Sequence, residues 1–191
     1  MPQTKETKKK STSGAKKTKA SESKKMEETP LHEFFLDGLK DMYYAENALV
    51  EALKKMEKEA TSKELKKAFK DHRSQTEKHY STLEKVFKSL GEEPEEKKCK
   101  AMDGLIKEAE EIIKDTDAGT MTRDAALIIA AQKVEHYEIA SYGGLAQLAK
   151  TMEHTKAKEL LGQILEEEKQ TDMLLTEIAE NAINNEAEEE E

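Results

Sequence analysis

Ala130-Ala131-Gln132-Lys133-Val134-Glu135-His136-Tyr137-Glu138-Ile139-Ala140 sits inside a long helical pattern, and its reading decides the fold. Ala125, Ile128, Gln132, Glu135, Ile139, Tyr142, Ala146 and Ala149 recur at alternating steps of three and four. That spacing puts them on one helix face. The face is apolar or neutral at both ends and carries a carboxylate at its centre. Glu138, three residues after Glu135, borders the same stripe. A carboxylate on an inward face needs a partner, a proton or a metal. The rest of the chain is therefore read for helices that supply matching groups at the same depth.

Three further patterns do so. The first runs through Phe35, Leu39, Met42, Glu46, Leu49, Leu53, Met56 and Ala60, with Thr29-Pro30 as its start, and predicts a helix over about 30–60. Tyr43 and Tyr44 flank Glu46. The second runs through Leu65, Phe69, His72, Thr76, His79, Leu83, Val86 and Leu90. Thr61-Ser62 opens it and Gly91 closes it, predicting a helix over about 62–90. The stretch quoted first belongs to a helix over about 121–151, which Thr122 and Asp124 can cap and which Gly143-Gly144 are expected either to bend or to open to close approach by a neighbouring helix. The last stripe is Ala157, Leu161, Ile164, Glu168, Asp172, Leu175 and Ala179, on a helix over about 155–183. A weaker periodicity over 101–114 predicts a short helix inside the long second connection.

Each long pattern is about 30 residues, or about 45 Å, with polar groups near its midpoint. A four-helix bundle aligns midpoints. Glu46, His72, Gln75, Thr76, His79, Glu135, Glu138, Glu168 and Asp172 then meet in one layer. Bare carboxylates there would repel and lose hydration, at several kcal/mol each. No stripe offers a Lys or Arg at that depth. Hard oxygen ligands with one or two imidazoles suit iron or manganese, and di-metal bundles place inward-facing Glu and His this way.

Composition agrees with one helical domain and tails. The 191 residues are 38% charged and 5% aromatic, without Trp and with three Pro. A net charge of -9 argues against a general nucleic-acid binder. One Cys, Cys99, rules out an intramolecular disulfide. No apolar run approaches the ~20 residues of a membrane span. Residues 1–29 hold nine Lys against four Glu and no Val, Ile, Leu or aromatic. They are expected to be a disordered tail, with at most weak contact to an anionic polymer. Residues 184–191 are expected to be a frayed acidic tail, flanking a bundle over 30–183. A cytoplasmic location is expected.

The region 30–182 resembles the YciE/YciF-like branch of the ferritin-like superfamily. The resemblance rests on the segment Leu39-Lys40-Asp41-Met42-Tyr43-Tyr44-Ala45-Glu46, on His72 with Gln75-Thr76, on Ala131 to Glu138 with Tyr142-Gly143, and on Leu165 to Glu168 followed by Asp172. It implies an all-α, ferritin-like four-helix bundle with a long B–C crossover, the connection between its second and third long helices, containing a short extra helix. It also implies a homodimer, a link to stress responses and a site for two metal ions, iron or manganese. The ligands so implied are Glu46, His72, Gln75, Glu135, Glu138, Glu168 and Asp172. Related sequences often carry Glu at the position of Gln75, a better ligand. His136 is expected to face away, and His79 to support the site rather than bind. Such a centre meets O2 or peroxide, with Tyr44 or Tyr142 as a neighbour.

Overall fold

A computed structural model describes residues 29–190. The expected N-terminal tail, but for Thr29, lies outside the described residues. The chain forms α1 (Pro30–Glu59), α2 (Lys63–Leu90), α3 (Lys100–Asp115), α4 (Met121–Thr151) and α5 (Thr155–Ile178). A single π turn, Ala179–Ile183, joins α5 to α6 (Asn184–Glu188). No strand occurs among the described residues.

The helix starts follow local chemistry. Thr29 caps α1 through its hydroxyl, which accepts from the His32 amide, with Pro30 at the first helical position. The Ser62 hydroxyl caps α2, and Gly91 ends it in the left-handed region at φ 77°. Thr120 caps α4. Asp124 has a different task from the expected cap: it is fully buried, and its two carboxylate oxygens accept from the amides of Thr61 and Ser62 at 2.7 and 2.6 Å. It ties the α1–α2 turn to the beginning of α4. Arg123 beside it pairs with Glu59 at 3.0 Å and donates to the Ile113 carbonyl at 2.8 Å, joining the end of α3 to the same corner.

This corner fixes the topology. α1 runs toward it, α2 away, α3 crosses back along α1, α4 runs away again and α5 returns. α1 packs on α2, α4 on α5, α2 on α5 and α1 on α4, while α3 lies against α4 and α1. This is the four-helix bundle with its long B–C crossover. The core runs the full length between the helices, from Phe35, Leu39 and Leu161 at one end to Leu53, Leu65, Leu127 and Leu175 at the other.

Two details depart from expectation. Gly143 and Gly144 do not bring a neighbour close, since a Cβ at either meets nothing within 4 Å. The close approach is instead at Gly38, where a Cβ would lie 2.8 Å from Leu145 Cδ2. The C-terminal residues are helical over Asn184–Glu188 rather than frayed. Beyond them the Glu190 carboxylate accepts from the amides of Met121 and Thr122, at 2.6 and 2.9 Å. An anion at a helix N-terminus meets orphan donors and the positive end of the dipole.

Candidate metal centre

Halfway along the bundle the core turns polar. Glu46 of α1, Glu135 and Glu138 of α4, and Glu168 of α5 are all 0% exposed, and His72 and His79 of α2 are nearly so. Their donor atoms form two groups. One is His72, Glu135, Glu138 and Glu168, the other Glu46, His79 and Glu168. Within each group the atoms lie within 4.8 Å of one another. Glu168 belongs to both.

Contacts inside the layer are close but incomplete. His72 Nε2 lies 3.1 Å from Glu135 Oε1, and His79 Nδ1 lies 2.8 Å from Glu168 Oε1 and 3.7 Å from Glu46 Oε1. These are ion-pair distances without hydrogen-bond alignment. Glu46 Oε2, His72 Nε2, His79 Nδ1 and both oxygens of Glu135, Glu138 and Glu168 are buried with no hydrogen-bond partner among the described residues. Native interiors leave few such atoms, and here they converge on one point. The donor set, four carboxylates and two imidazoles, fits two divalent cations in charge as well as in ligand type.

The outer faces of the ligands are held. Tyr142 donates its hydroxyl to Glu46 Oε1. His72 Nδ1 lies 3.5 Å from the Thr171 hydroxyl. His79 Nε2 lies 2.8 Å from Glu167 Oε2, and that same oxygen accepts from the Gln75 amide at 3.1 Å. Partners of this kind orient metal-binding imidazoles.

Burial sets the electrostatics. Desolvation pushes the Glu46 carboxyl up to about 8 and the Glu135 carboxyl to about 7, against the downward pull of the neighbouring imidazoles, His79 on Glu46 and His72 on Glu135. Glu138 rises well above the carboxylate range for the same reason, with Glu168, Glu46 and Glu135 adding repulsion. Desolvation alone would depress the two imidazoles. The adjacent carboxylates, Glu135 for His72 and Glu168 with Glu46 for His79, outweigh it and raise both to about 9.

Of the residues expected in the site, the structure brings together Glu46, His72, Glu135, Glu138 and Glu168. It does not bring in Gln75 or Asp172. Gln75 is one layer out, on Glu167. Asp172 turns aside to accept from Gln132 at 3.1 Å and to meet the exposed His136 at 3.3 Å. His79, expected as a supporting residue, sits inside. Its signal was present in the sequence, because residues 72 and 79 are two turns apart on one buried face. Tyr44 instead bonds Asp103 on α3 at 2.8 Å.

An all-helical bundle with this crossover and a buried carboxylate–imidazole layer is a ferritin-like fold. The model of a domain family of unknown function, DUF892, matches residues 30–188, and the chain belongs to that family. Protein YciF of Escherichia coli K12 is 45% identical over 159 residues, which cover 83% of this chain and 95% of that one. The crystal structure of the E. coli stress protein YciF superposes with a TM-score of 0.77 at 44% identity, covering 81% of this chain and 97% of that one. YcfI of Rhodopseudomonas palustris superposes at 0.75 and 38% identity, covering 81% and 96%.

Proposed function

We propose that this protein binds two divalent cations, iron or manganese, on Glu46, His72, His79, Glu135, Glu138 and Glu168. The observation that carries the reading is the set of unpartnered donor atoms buried at one depth. Two divalent charges offset four carboxylates, and each orphaned atom gains a bond. Water can satisfy the hydrogen bonding of these buried oxygens but not their charge, which only protons or bound cations offset.

A redox-active pair bound there supplies electrons for the reduction of O2 or peroxide. The protein's own part is positional. Glu168 serves both subsites, Tyr142 fixes Glu46, and the bundle's apolar ends exclude bulk water. Fe(II) oxidation or peroxide consumption as protection under stress is the activity we infer, supported by the description of the E. coli relative as a stress protein. We place it in the cytoplasm; no helix of the described residues is long and apolar enough to cross a membrane.

Metal analysis of purified protein and peroxide or O2 consumption after Fe(II) addition test this. The expected result is two ions per chain and turnover that Glu135→Ala abolishes. Bound metal with turnover no faster than that variant's would instead favour a second reading, a non-catalytic homodimer that sequesters metal. Ile129 and Met173, each 55% exposed on the paired helices α4 and α5, favour that reading as apolar surface for a second copy to cover. A protein that binds no metal refutes both readings.

A further inference from the structure

The two groups of ligands differ in what lies behind them. His72 is backed by Thr171 inside the core. His79 is backed by a cavity of about 320 Å³ between α2 and α5, whose lining includes His79 itself, Glu167, Lys78, Thr82 and Gln163. The imidazole is 2% exposed and spans the wall, with Nδ1 toward Glu168 and Nε2 toward Glu167. The Glu167 side chain is 46% exposed, so the outer end of this pair reaches water. Glu46, Glu135, Glu138 and Glu168, by contrast, have no exposure.

We propose that cations enter and leave the centre through the α2–α5 cavity, past a His79 side chain latched by Glu167. The inference rests on the metal-binding reading above. It makes the Glu46–His79–Glu168 subsite the exchangeable one and the His72–Glu135–Glu138–Glu168 subsite the retained one. The ring must swing aside for an ion to pass, and its hydrogen bond to Glu167 returns it with Nδ1 facing inward. Gln75, which donates to the same Glu167 oxygen, steadies the latch. This gives Gln75 a function outside the ligand set.

The test uses the full chain and Co(II), whose absorption reports coordination by stopped flow, with a chelator added to measure release. Gln163→Trp and Ser81→Trp each place an indole over the cavity, from α5 and α2 respectively, at exposed positions that leave the core intact. Both should slow Co(II) entry and release in equal proportion, by about tenfold, with the affinity unchanged, because an obstructed route alters rates and not the end states. Lys133→Trp, on the opposite side of the bundle, should change neither rate. Glu167→Ala should speed release and weaken the exchangeable subsite by about 10–100-fold. Wild-type rates in both Trp variants overturn the route while leaving metal binding intact. A wild-type chain that takes up no Co(II) overturns this inference together with the reading beneath it.

Discussion

Tyr142, on α4, donates its hydroxyl to Glu46, on α1, in a part of the core where both side chains are wholly buried. The bond spans the bundle between two helices that touch each other less extensively than the paired ones do. Among the described residues it also supplies the one hydrogen bond that Glu46 receives, the other carboxylate oxygen having none. Removing it by Tyr142→Phe should therefore cost stability, in an amount that depends on the charge of Glu46. With the carboxyl near 8, a hydrogen bond to the charged form at pH 9 is worth about 1.5–3 kcal/mol, and one to the neutral form at pH 6 about 1 kcal/mol. Urea unfolding of chelator-treated wild type and variant at the two pH values measures both. An equal loss at pH 6 and pH 9 would contradict an ionising Glu46.

The metal-free centre should also give the whole protein an unusual pH dependence. Glu46 and Glu135 ionise in the unfolded chain near 4.5 and in the folded one at about 8 and 7. From pH 4.5 upward the native state therefore holds protons that the unfolded state has lost, and stability falls through that window. The imidazoles act in the same direction. Their folded values of about 9 against 6.5 stabilise the protein fully below 6.5, and this contribution is lost as pH rises through 9. Chelator-treated protein should accordingly unfold at lower urea concentration at pH 9 than at pH 6. Metal-loaded protein should show a flatter profile, since bound cations replace the protons. A rise in the chelated protein's stability from pH 6 to pH 9 would reject the assignment of these groups.

Helix existence and ends were legible because caps and stops are local. Thr29-Pro30, Ser62 and Gly91 do in the structure what their chemistry predicts. Depth was legible too, since each stripe carried its polar residues at its midpoint. The inner face of α4 was harder to read. That helix packs against α5 and α1 on one side and α3 on another, so its apolar residues surround it and several stripes fit equally well. The true inner stripe runs through Leu127, Ala131, Glu135, Glu138, Tyr142, Leu145 and Ala149, which makes Glu138 central rather than marginal. Gln132 and Ile139, expected inside, are half-buried. Asp124 and Arg123 could not be understood locally, because their partners lie across the chain in α1, α3 and the first turn.

The same limit governs α5, where Glu168 and Asp172 are one turn apart on a shared stripe and only one reaches the centre. Side chains four apart on a helix are displaced by about 6 Å along the axis, enough to move the second out of a layer built around the first. Asp172 is captured there by Gln132 and His136. Sequence pattern treats the two acids alike, whereas the geometry separates them. Asp172→Ala and Gln75→Ala should each retain two ions per chain by elemental analysis. Glu138→Ala and Glu168→Ala should each lose at least one ion, and Glu168→Ala should weaken both subsites because its carboxylate belongs to both ligand groups. Asp172→Ala should cost little stability, since its contacts are half-exposed and such pairs contribute about 0–1 kcal/mol. If Asp172→Ala lost an ion while Glu138→Ala kept both, the ligand layer would have to be redrawn one turn further along α5.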